Sequence, residues 1–398
     1  MSTFIISNSE LVSAVKKASV SEKNTYELKV APRVEPNSGK YMASLCTCNG
    51  SVQTIAFLLV ASEDITEEVD LIFPSSFAKT VTTLAAYTDG DFKIEVEENI
   101  CNISCGEASL NLDMLPSAVR IEAMDPGKNK FAQVTIDTGK LKRAIEIGSS
   151  AMSAEEGKMA AVRNAIELAP VNVDGVEKLR VISVDTLGVL AAGAMAEIKQ
   201  AGGLDDLLDK KAYVLNSVFC RIVNSIHSET VELFLFDKQV MMHDGNDFYI
   251  ITPNAAAFPK EVSAGLYADM PKEYSMSVEQ KSLTSALDIV LIGASSLEDN
   301  KACLSISNGG VTVRAMKRDN RAGVAATDVV GETDIGINGA VLKRAIAHLG
   351  TSISISGQAP NKPIFIKNGE PGVAVFTAPC KLETDADSTE KESSEEGK

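Results

Sequence analysis

Side chains able to do covalent or metal chemistry are scarce in this chain, and their spacing is uninviting. Three histidines stand at His227, His243 and His348, with none in a metal-ligand or triad spacing. Seven cysteines occur, at Cys46, Cys48, Cys101, Cys105, Cys220, Cys303 and Cys380. Cys46-x-Cys48 and Cys101-x3-Cys105 could be joined into a four-thiolate zinc site, but both pairs sit in apparent strands without the turn a knuckle needs. Buried thiols are the expectation there. An odd, scattered set also lacks the look of a disulfide framework, so reduced cysteines are expected. No glycine-rich phosphate loop of the Walker type is present. An enzyme is therefore not expected, and neither a cofactor nor a metal is called for.

The side chains that do form a pattern are cationic. Lys79, Arg143, Arg221 and Arg344 each follow by two residues the first member of an apolar helical stripe. At about 100° per residue that position lies nearly opposite the stripe. Lys16, Lys17, Lys142 and Lys343 also fall away from the core side, and Lys140 and Lys281 lie just before their stripes begin. The acids in the same segments are Glu10, Glu146, Glu279 and Asp288. The whole chain carries 54 acidic and 38 basic residues, for a formal net charge of −16. A simple sum would argue against a nucleic-acid partner, but the distribution matters more than the sum. One charged helix face is ordinarily just solvated; six in the same register could form a positive lining suited to phosphate contact without base readout.

The elements that must position these cations recur three times. A short strand, a polar cap and an amphipathic helix appear at Phe4–Ile6 before 8–19, Val134–Ile136 before 137–149, and Tyr274–Ser277 before 278–292. Asn8 or Ser9, Asp137 or Thr138, and Ser277 are the candidate N-caps. A second strand and helix follow at Leu71–Phe73 into 74–86, Tyr213–Leu215 into 216–226, and Ile335–Ile337 into 338–349, each succeeded by short strands. The stripes at i, i+3, i+4 and i+7 are Leu11/Ala14/Val15/Ala18, Phe77/Thr80/Val81/Leu84, Leu141/Ala144/Ile145/Gly148, Phe219/Ile222/Val223/Ile226, Leu283/Ala286/Leu287/Val290 and Leu342/Ala345/Ile346/Leu349. Thr80 and Gly148 are their weak members. Equivalent points recur after roughly 120 to 140 residues, the size of a domain rather than of a solenoid repeat.

Length and composition agree. A chain of 398 residues with 45% hydrophobic and 23% charged residues can bury several cores. Linkers are expected at 125–130 and 263–272, where proline and glycine interrupt the pattern. Beyond Leu382 the chain is acidic and almost devoid of apolar side chains, so disorder is expected over 383–398. No apolar run long enough for a membrane span is evident, and the N-terminus lacks a secretion pattern, which points to the cytoplasm.

With the repeat and the charge segregation in hand, the chain resembles the bacterial DNA polymerase III beta subunit, the beta sliding clamp, over residues 3–382. The segments that carry the resemblance are Phe73–Lys79 with Leu110–Pro116, then Leu141–Glu146, Leu179–Asp185 and Ala257–Pro259, then Ile335–Asn338 and Ala378–Leu382. Their order along three domains, rather than any one of them, is specific. The resemblance implies an α+β fold of three tandem DNA-clamp domains, each with two helices against antiparallel sheets, at 1–124, 132–262 and 272–382. It implies a head-to-tail homodimer closing as a ring around double-stranded DNA, helices inside, with no catalytic residues of its own. The implied partners are the DNA polymerase, an ATP-driven clamp loader and other proteins bearing a clamp-binding motif, and the implied place of work is the replication fork.

Carried over by position, the partner-peptide pocket would comprise Val162, Val184, Thr186, Leu187, Val189, Pro259, Asn338, Val341, Pro363, Phe376, Thr377, Ala378, Pro379, Cys380, Lys381 and Leu382. The subunit contact would involve Leu110, Leu112 and Ile292. The chain departs from the family where Val184-Asp185-Thr186-Leu187-Gly188-Val189 replaces the usual Thr-Asp-Gly-His-Arg-Leu, around Leu45–Cys48, and in its charged tail. Such divergence would suit an unusual bacterial lineage or a phage-encoded clamp. The rival to a clamp is a repeat-built scaffold that never meets DNA, for which the basic helix faces would be incidental.

Overall fold

The computed structural model describes residues 2–19, 25–63, 65–153, 162, 164–185, 190–205, 207, 210–268, 271–294 and 300–382. The first repeat runs β1 (Ser2–Ile6), α1 (Asn8–Ala18), β2 (Thr25–Val34), β3 (Tyr41–Cys48), β4 (Val52–Ser62), β5 (Val69–Phe73), α2 (Phe77–Ala85), β6 (Phe92–Glu97), β7 (Ile100–Cys105) and β8 (Ala108–Asp113). The second has β9 (Phe131–Asp137), α3 (Thr138–Gly148), β10 (Ala165–Val173), β11 (Val176–Val184), β12 (Leu190–Gly202), β13 (Tyr213–Asn216), α4 (Ser217–Ser225), β14 (Thr230–Phe236), β15 (Val240–His243) and β16 (Phe248–Ile251). After α5 (Lys260–Leu266), the third repeat has β17 (Tyr274–Glu279), α6 (Gln280–Val290), β18 (Lys301–Ser307), β19 (Gly310–Ala315), β20 (Arg321–Val324), β21 (Ala326–Val330), β22 (Thr333–Asn338), α7 (Gly339–Ile346), β23 (Ser352–Gly357), β24 (Ile364–Lys367) and β25 (Ala374–Thr377).

Three repeats condense into two units, because sheets continue from one repeat into the next. One unit holds the chain up to Lys140 with Ile198–Lys210 and Leu215–Asn254; the other holds Leu141–Glu197, Lys211–Val214 and Ala255 onward. In the first, an antiparallel sheet runs β5-β2-β3-β4 and then passes to β16-β15-β14-β9, ending on the last part of β12. The handover is β16 onto β4, with Ile251 opposite Val52 and Phe248 opposite Ile55. A second sheet, β1-β6-β7-β8, leaves β8 as its edge. The other unit repeats the handover: β10-β11-β12 passes to β25-β24-β23-β17-β21, with Leu190 opposite Thr377 and Gly193 opposite Ala374. Its four-stranded sheet, β22-β18-β19-β20, leaves β20 as its edge.

All six expected stripes face a core, since each of their members is buried. The weak member Gly148 has a packing reason. A Cβ there would stand 2.7 Å from both the carbonyl oxygen and Cγ1 of Val181, so α3 lies too close to β11 for any side chain. In the first unit Phe77 from α2 stacks on Phe73, ring centroids 4.3 Å apart, tying the helix to the strand that precedes it.

Helix starts need two corrections. Ser7, not Asn8 or Ser9, caps α1: its hydroxyl oxygen accepts from the Glu10 backbone N–H and its hydroxyl donates to the Glu10 carboxylate. That pair has the spacing of a capping box, a signal present in the sequence. Ser277 lies inside β17, and α6 begins after Glu279, which makes no side-chain cap bond to the backbone. Asp137 does cap α3, accepting from the Lys140 N–H at 3.0 Å, and Asn216 and Asn338 cap α4 and α7. The linker expected over 263–272 begins inside α5 instead. Phe258, Val262 and Leu266 recur every four residues, and Pro259 stands at the N-cap, the pattern of a short amphipathic helix. The expected disordered tail, 383–398, lies outside the described residues.

Gly148→Ala tests the packing of α3 on β11. Helix propensity alone would stabilise it by about 1 kcal/mol, yet the clash should make it a net loss of about 1–3 kcal/mol, read as a lowered thermal midpoint. An unchanged or raised midpoint would contradict the close approach.

Candidate functional site

The cations stand on helix faces turned from the cores. In the first unit Lys16, Lys79, Lys140 and Arg221 are exposed and Lys17 is half-buried; in the second, Lys281 and Arg344 are exposed and Lys142, Arg143 and Lys343 half-buried. Several are engaged. Lys17 pairs with the Asp247 carboxylate, whose other oxygen accepts from the Phe57 N–H at 3.1 Å. Arg143 donates to Glu146 at 3.0 Å and to Glu370 at 2.7 Å. Lys343 pairs with Asp288, and Arg344 reaches Asp185 at 3.1 Å. His348 on the turn after α7 lies 3.1 Å from the other oxygen of Glu146. Burial opposes the charge on Glu146, but Arg143 and His348 outweigh it and hold its carboxyl below the usual range.

Of these acids, Asp185, Asp247 and Glu370 lie outside the helices and join the cations only through folding. Exposed pairs such as Arg143–Glu370 contribute about 0–1 kcal/mol, so a phosphate oxygen can exchange with a carboxylate on the same guanidinium at little cost. The pair involving Asp185 is different, because that carboxylate is nearly buried and also accepts from the Leu190 N–H at 3.2 Å. Arg344 is thereby fastened to the strand-to-strand connection beside the expected pocket.

The pocket residues divide into two groups in the second unit. Val162 and Val184 belong to an apolar cluster with Ala165, Ile182, Ala191, Val214, Phe258, Leu266 and Ala374, against which Phe376 and Tyr267 pack. Phe376 sits opposite Ala191 across the handover and its ring centroid is 6.2 Å from that of Phe365. Pro259, half-buried, starts α5, which is tied down by the Ser263 hydroxyl donating to Glu167 at 3.1 Å; Arg180 donates to the same oxygen at 2.8 Å. Around α7, Cys380 donates its backbone N–H to the Gly336 carbonyl at 2.8 Å, so the terminal segment runs along β22. A Cβ on Gly336 would fall 2.3 Å from the Cys380 carbonyl oxygen, which requires glycine there.

Ala378, Pro379, Cys380, Leu382 and Val341 are half-buried along that path, Thr377 is buried, and Lys381 and Pro363 are exposed. Asn338 is occupied: its side-chain oxygen accepts from the Ala340 and Val341 N–H groups, both at 3.1 Å, as the α7 cap. Thr186, Leu187 and Val189 lie outside the described residues. The sequence reading missed Phe258, Leu266 and Tyr267, although their helical spacing was available. At the edges, Leu110 is 44% and Ile292 67% exposed, while Leu112 is half-buried. Cys46, Cys48, Cys101 and Cys105 are buried free thiols; burial pushes Cys46 up to about 11 and Cys101 to about 12.

No protein-family model matches the chain, and no curated protein matches it in sequence. Solved structures do. A DNA polymerase sliding clamp from Caulobacter crescentus is similar with a TM-score of 0.76 at 19% identity. The DNA polymerase III subunit beta from Pseudomonas aeruginosa gives 0.74 at 17%, and the beta subunit from Thermotoga maritima 0.74 at 14%. In each case 96% of this chain and 100% of the other are covered. The chain therefore has the sliding-clamp fold over 96% of its length, an α+β arrangement of tandem clamp domains.

Asn338→Ala should lower stability by about 1 kcal/mol through the lost cap, while Asn338→Asp, which keeps an acceptor, should hold it. Equal thermal midpoints for both variants and the parent would place the role of Asn338 elsewhere.

Proposed function

We propose that this chain is a DNA sliding clamp: a non-catalytic processivity factor whose two copies close head to tail around duplex DNA and tether a replicative DNA polymerase. The observation that carries the reading is the handover of sheets between repeats. The last strand of the second repeat pairs with β4, and the last strand of the third with β12. The same operation applied once more needs β8 of one chain against β20 of another. Two chains joined twice in this way leave neither edge open, and rings of this kind are the standard result of a heterologous contact that closes.

The helix cations then supply the contact with DNA. They neutralise phosphates without reading bases, and the carboxylates among them keep that attraction weak enough to permit sliding. Partner peptides from the polymerase, the clamp loader and other clamp-binding proteins would seat against the Val162/Val184/Phe376 cluster and the Pro379–Leu382 segment, which offer apolar side chains with a few polar groups. We place this work in the cytoplasm, at the replication fork; no described helix is long and apolar enough to cross a membrane.

Two experiments test it. Lys79→Glu, Arg221→Glu and Lys281→Glu together spare the Arg143 and Arg344 ion pairs, and should flatten the salt dependence of duplex binding by roughly 0.9 per phosphate contact removed, while oligomeric state holds. An unchanged slope would favour a scaffold without DNA. Pro379→Ala with Leu382→Ala should weaken binding of a polymerase-derived clamp-binding peptide roughly tenfold or more; unaltered affinity would move the pocket.

A further inference from the structure

In the first two repeats, the chain that leaves the repeat returns over one of its sheets, on the face turned from the helices. From the first repeat it joins the edge of β5, where Leu115 donates its N–H to the Ile72 carbonyl at 2.8 Å. It then crosses the sheet. Arg120 donates to Glu27 of β2 at 3.0 Å and to Asp70 of β5 at 2.9 Å, and the Ile121 N–H donates to the Gln53 side chain on β4 at 2.6 Å. Glu27 and Gln53 alternate with core residues and point away from the helices, yet both are buried because this segment covers them. In the second repeat α5 has the same place. Its Ser263 donates to Glu167 of β10, and a Cβ on Gly193 of β12 would stand 2.5 Å from the Tyr267 hydroxyl. Glu27 and Glu167 are each the third residue of equivalent strands.

Register locates the same positions in the third repeat. Glu27 stands opposite Ile72 on β5 and Cys46 on β3; Cys303 stands opposite Gly336 on β22 and Arg314 on β19. Cys303 therefore occupies the place of Glu27, and Asp334, opposite Ser305, the place of Asp70, opposite Lys29. Here the guanidinium comes from the sheet itself: Arg314 donates to Asp334 at 2.8 Å and to the Cys303 sulfur at 3.7 Å. The face around it is open. The Arg314 side chain is 53% exposed, and Thr312, Arg321 and Gly323 are exposed as well. Arg321 sits opposite Arg314, which leaves two arginines side by side on this face.

The chain that leaves the third repeat starts on the path taken from the first. Cys380 donates its N–H to the Gly336 carbonyl at 2.8 Å, as Leu115 does to Ile72. Leu382 then lies on the same face, its Cδ2 3.4 Å from where a Gly336 Cβ would stand. Arg120 follows Leu115 by five residues; Asp385 follows Cys380 by five, between Glu383 and Asp387. Residues 383–398 hold seven acids against two lysines, with Ala386 their one apolar side chain. The polarity of the contact is thus exchanged. In the first repeat the departing chain brings the arginine and the sheet the carboxylates; in the third the sheet holds the arginines and the departing chain brings carboxylates.

We infer that the acidic segment 383–398 docks on the helix-free face of β22-β18-β19-β20 in its own chain, with Glu383, Asp385 and Asp387 on Arg314 and Arg321. The inference depends neither on a ring nor on DNA. Exposed ion pairs contribute little singly, but a segment tethered at Leu382 meets this face at an effective concentration on the order of millimolar, so a few weak pairs suffice. The contact is electrostatic and is therefore weakened by salt.

Amide hydrogen exchange on the full chain tests this. Glu383→Gln, Asp385→Asn and Asp387→Asn together leave the folded repeats untouched, and at about 50 mM NaCl they should speed exchange over residues 301–324 by roughly threefold or more, with the helices unaffected. At about 500 mM NaCl the difference between parent and variant should vanish. On a background of Arg314→Gln and Arg321→Gln the tail changes should have no further effect, because their partners are gone. An effect that persists on that background would overturn the docking. So would exchange over 301–324 that is indifferent to the tail, or a change confined to the helix faces or to residues 376–382, which would seat the tail on the cationic helices or on the peptide pocket instead.

Discussion

An edge strand exposes a row of backbone amides and carbonyls that must find partners or be shielded, and the architecture of this chain is organised around that requirement. Each inner repeat boundary resolves it in the same manner, by laying the last strand of one repeat on a long strand of the repeat before it. The consequence is visible in how the chain condenses: the second repeat gives one sheet to each neighbour, so three sequence repeats become two units. On the first and third repeats, β8 and β20 are each paired on one side among the described residues, by β7 and β19. The proposed assembly and function are built on those two edges.

The helices serve this scheme by burying one face and leaving the other for charge. Their stripes are filled to the point where Gly148 is the only residue that fits against Val181. On the outer faces, cations gathered by sequence are moderated by acids gathered by folding. Arg143 is shared between Glu146 and Glu370, and Arg344 is held by Asp185. Unopposed arginines would grip phosphates, whereas arginines shared with carboxylates exchange partners readily, and the proposed sliding along DNA would draw on that exchange. The overall charge of −16 is compatible with this because the acids are distributed over the rest of the chain.

Elements with a strong local signal were legible in the sequence. The six stripes repeat at helical spacing, and every member is buried. Asp137 is readable as a cap because a short polar side chain stands directly before an apolar period, whereas Asn338, expected in the pocket, carries the same signal and caps α7. Ser7 carries the signal of a cap, its partner Glu10 three residues away, and the expected linker overlaps the second half of α5 because glycine and proline nearby outweigh the four-residue recurrence of Phe258, Val262 and Leu266. The sheet handovers and the pairs Lys17–Asp247 and Arg143–Glu370 join residues more than 180 positions apart in the chain. No local pattern encodes such contacts; they come from topology alone. The same holds for Asp185, just past the end of β11, whose carboxylate holds Arg344 of α7.

The central claim is that the two edges close a ring, so that attachment to DNA is topological rather than adhesive. The most direct measurement closes the protein around nicked circular duplex, by a clamp loader or by concentrating dilute chains together with it. The complex is then gel-filtered at about 0.2 M salt, where a modest set of phosphate contacts no longer holds by affinity. The account predicts that protein co-elutes with the circle and is lost once a single cut linearises it. Equal retention on circle and linear duplex, or none on either, would contradict it.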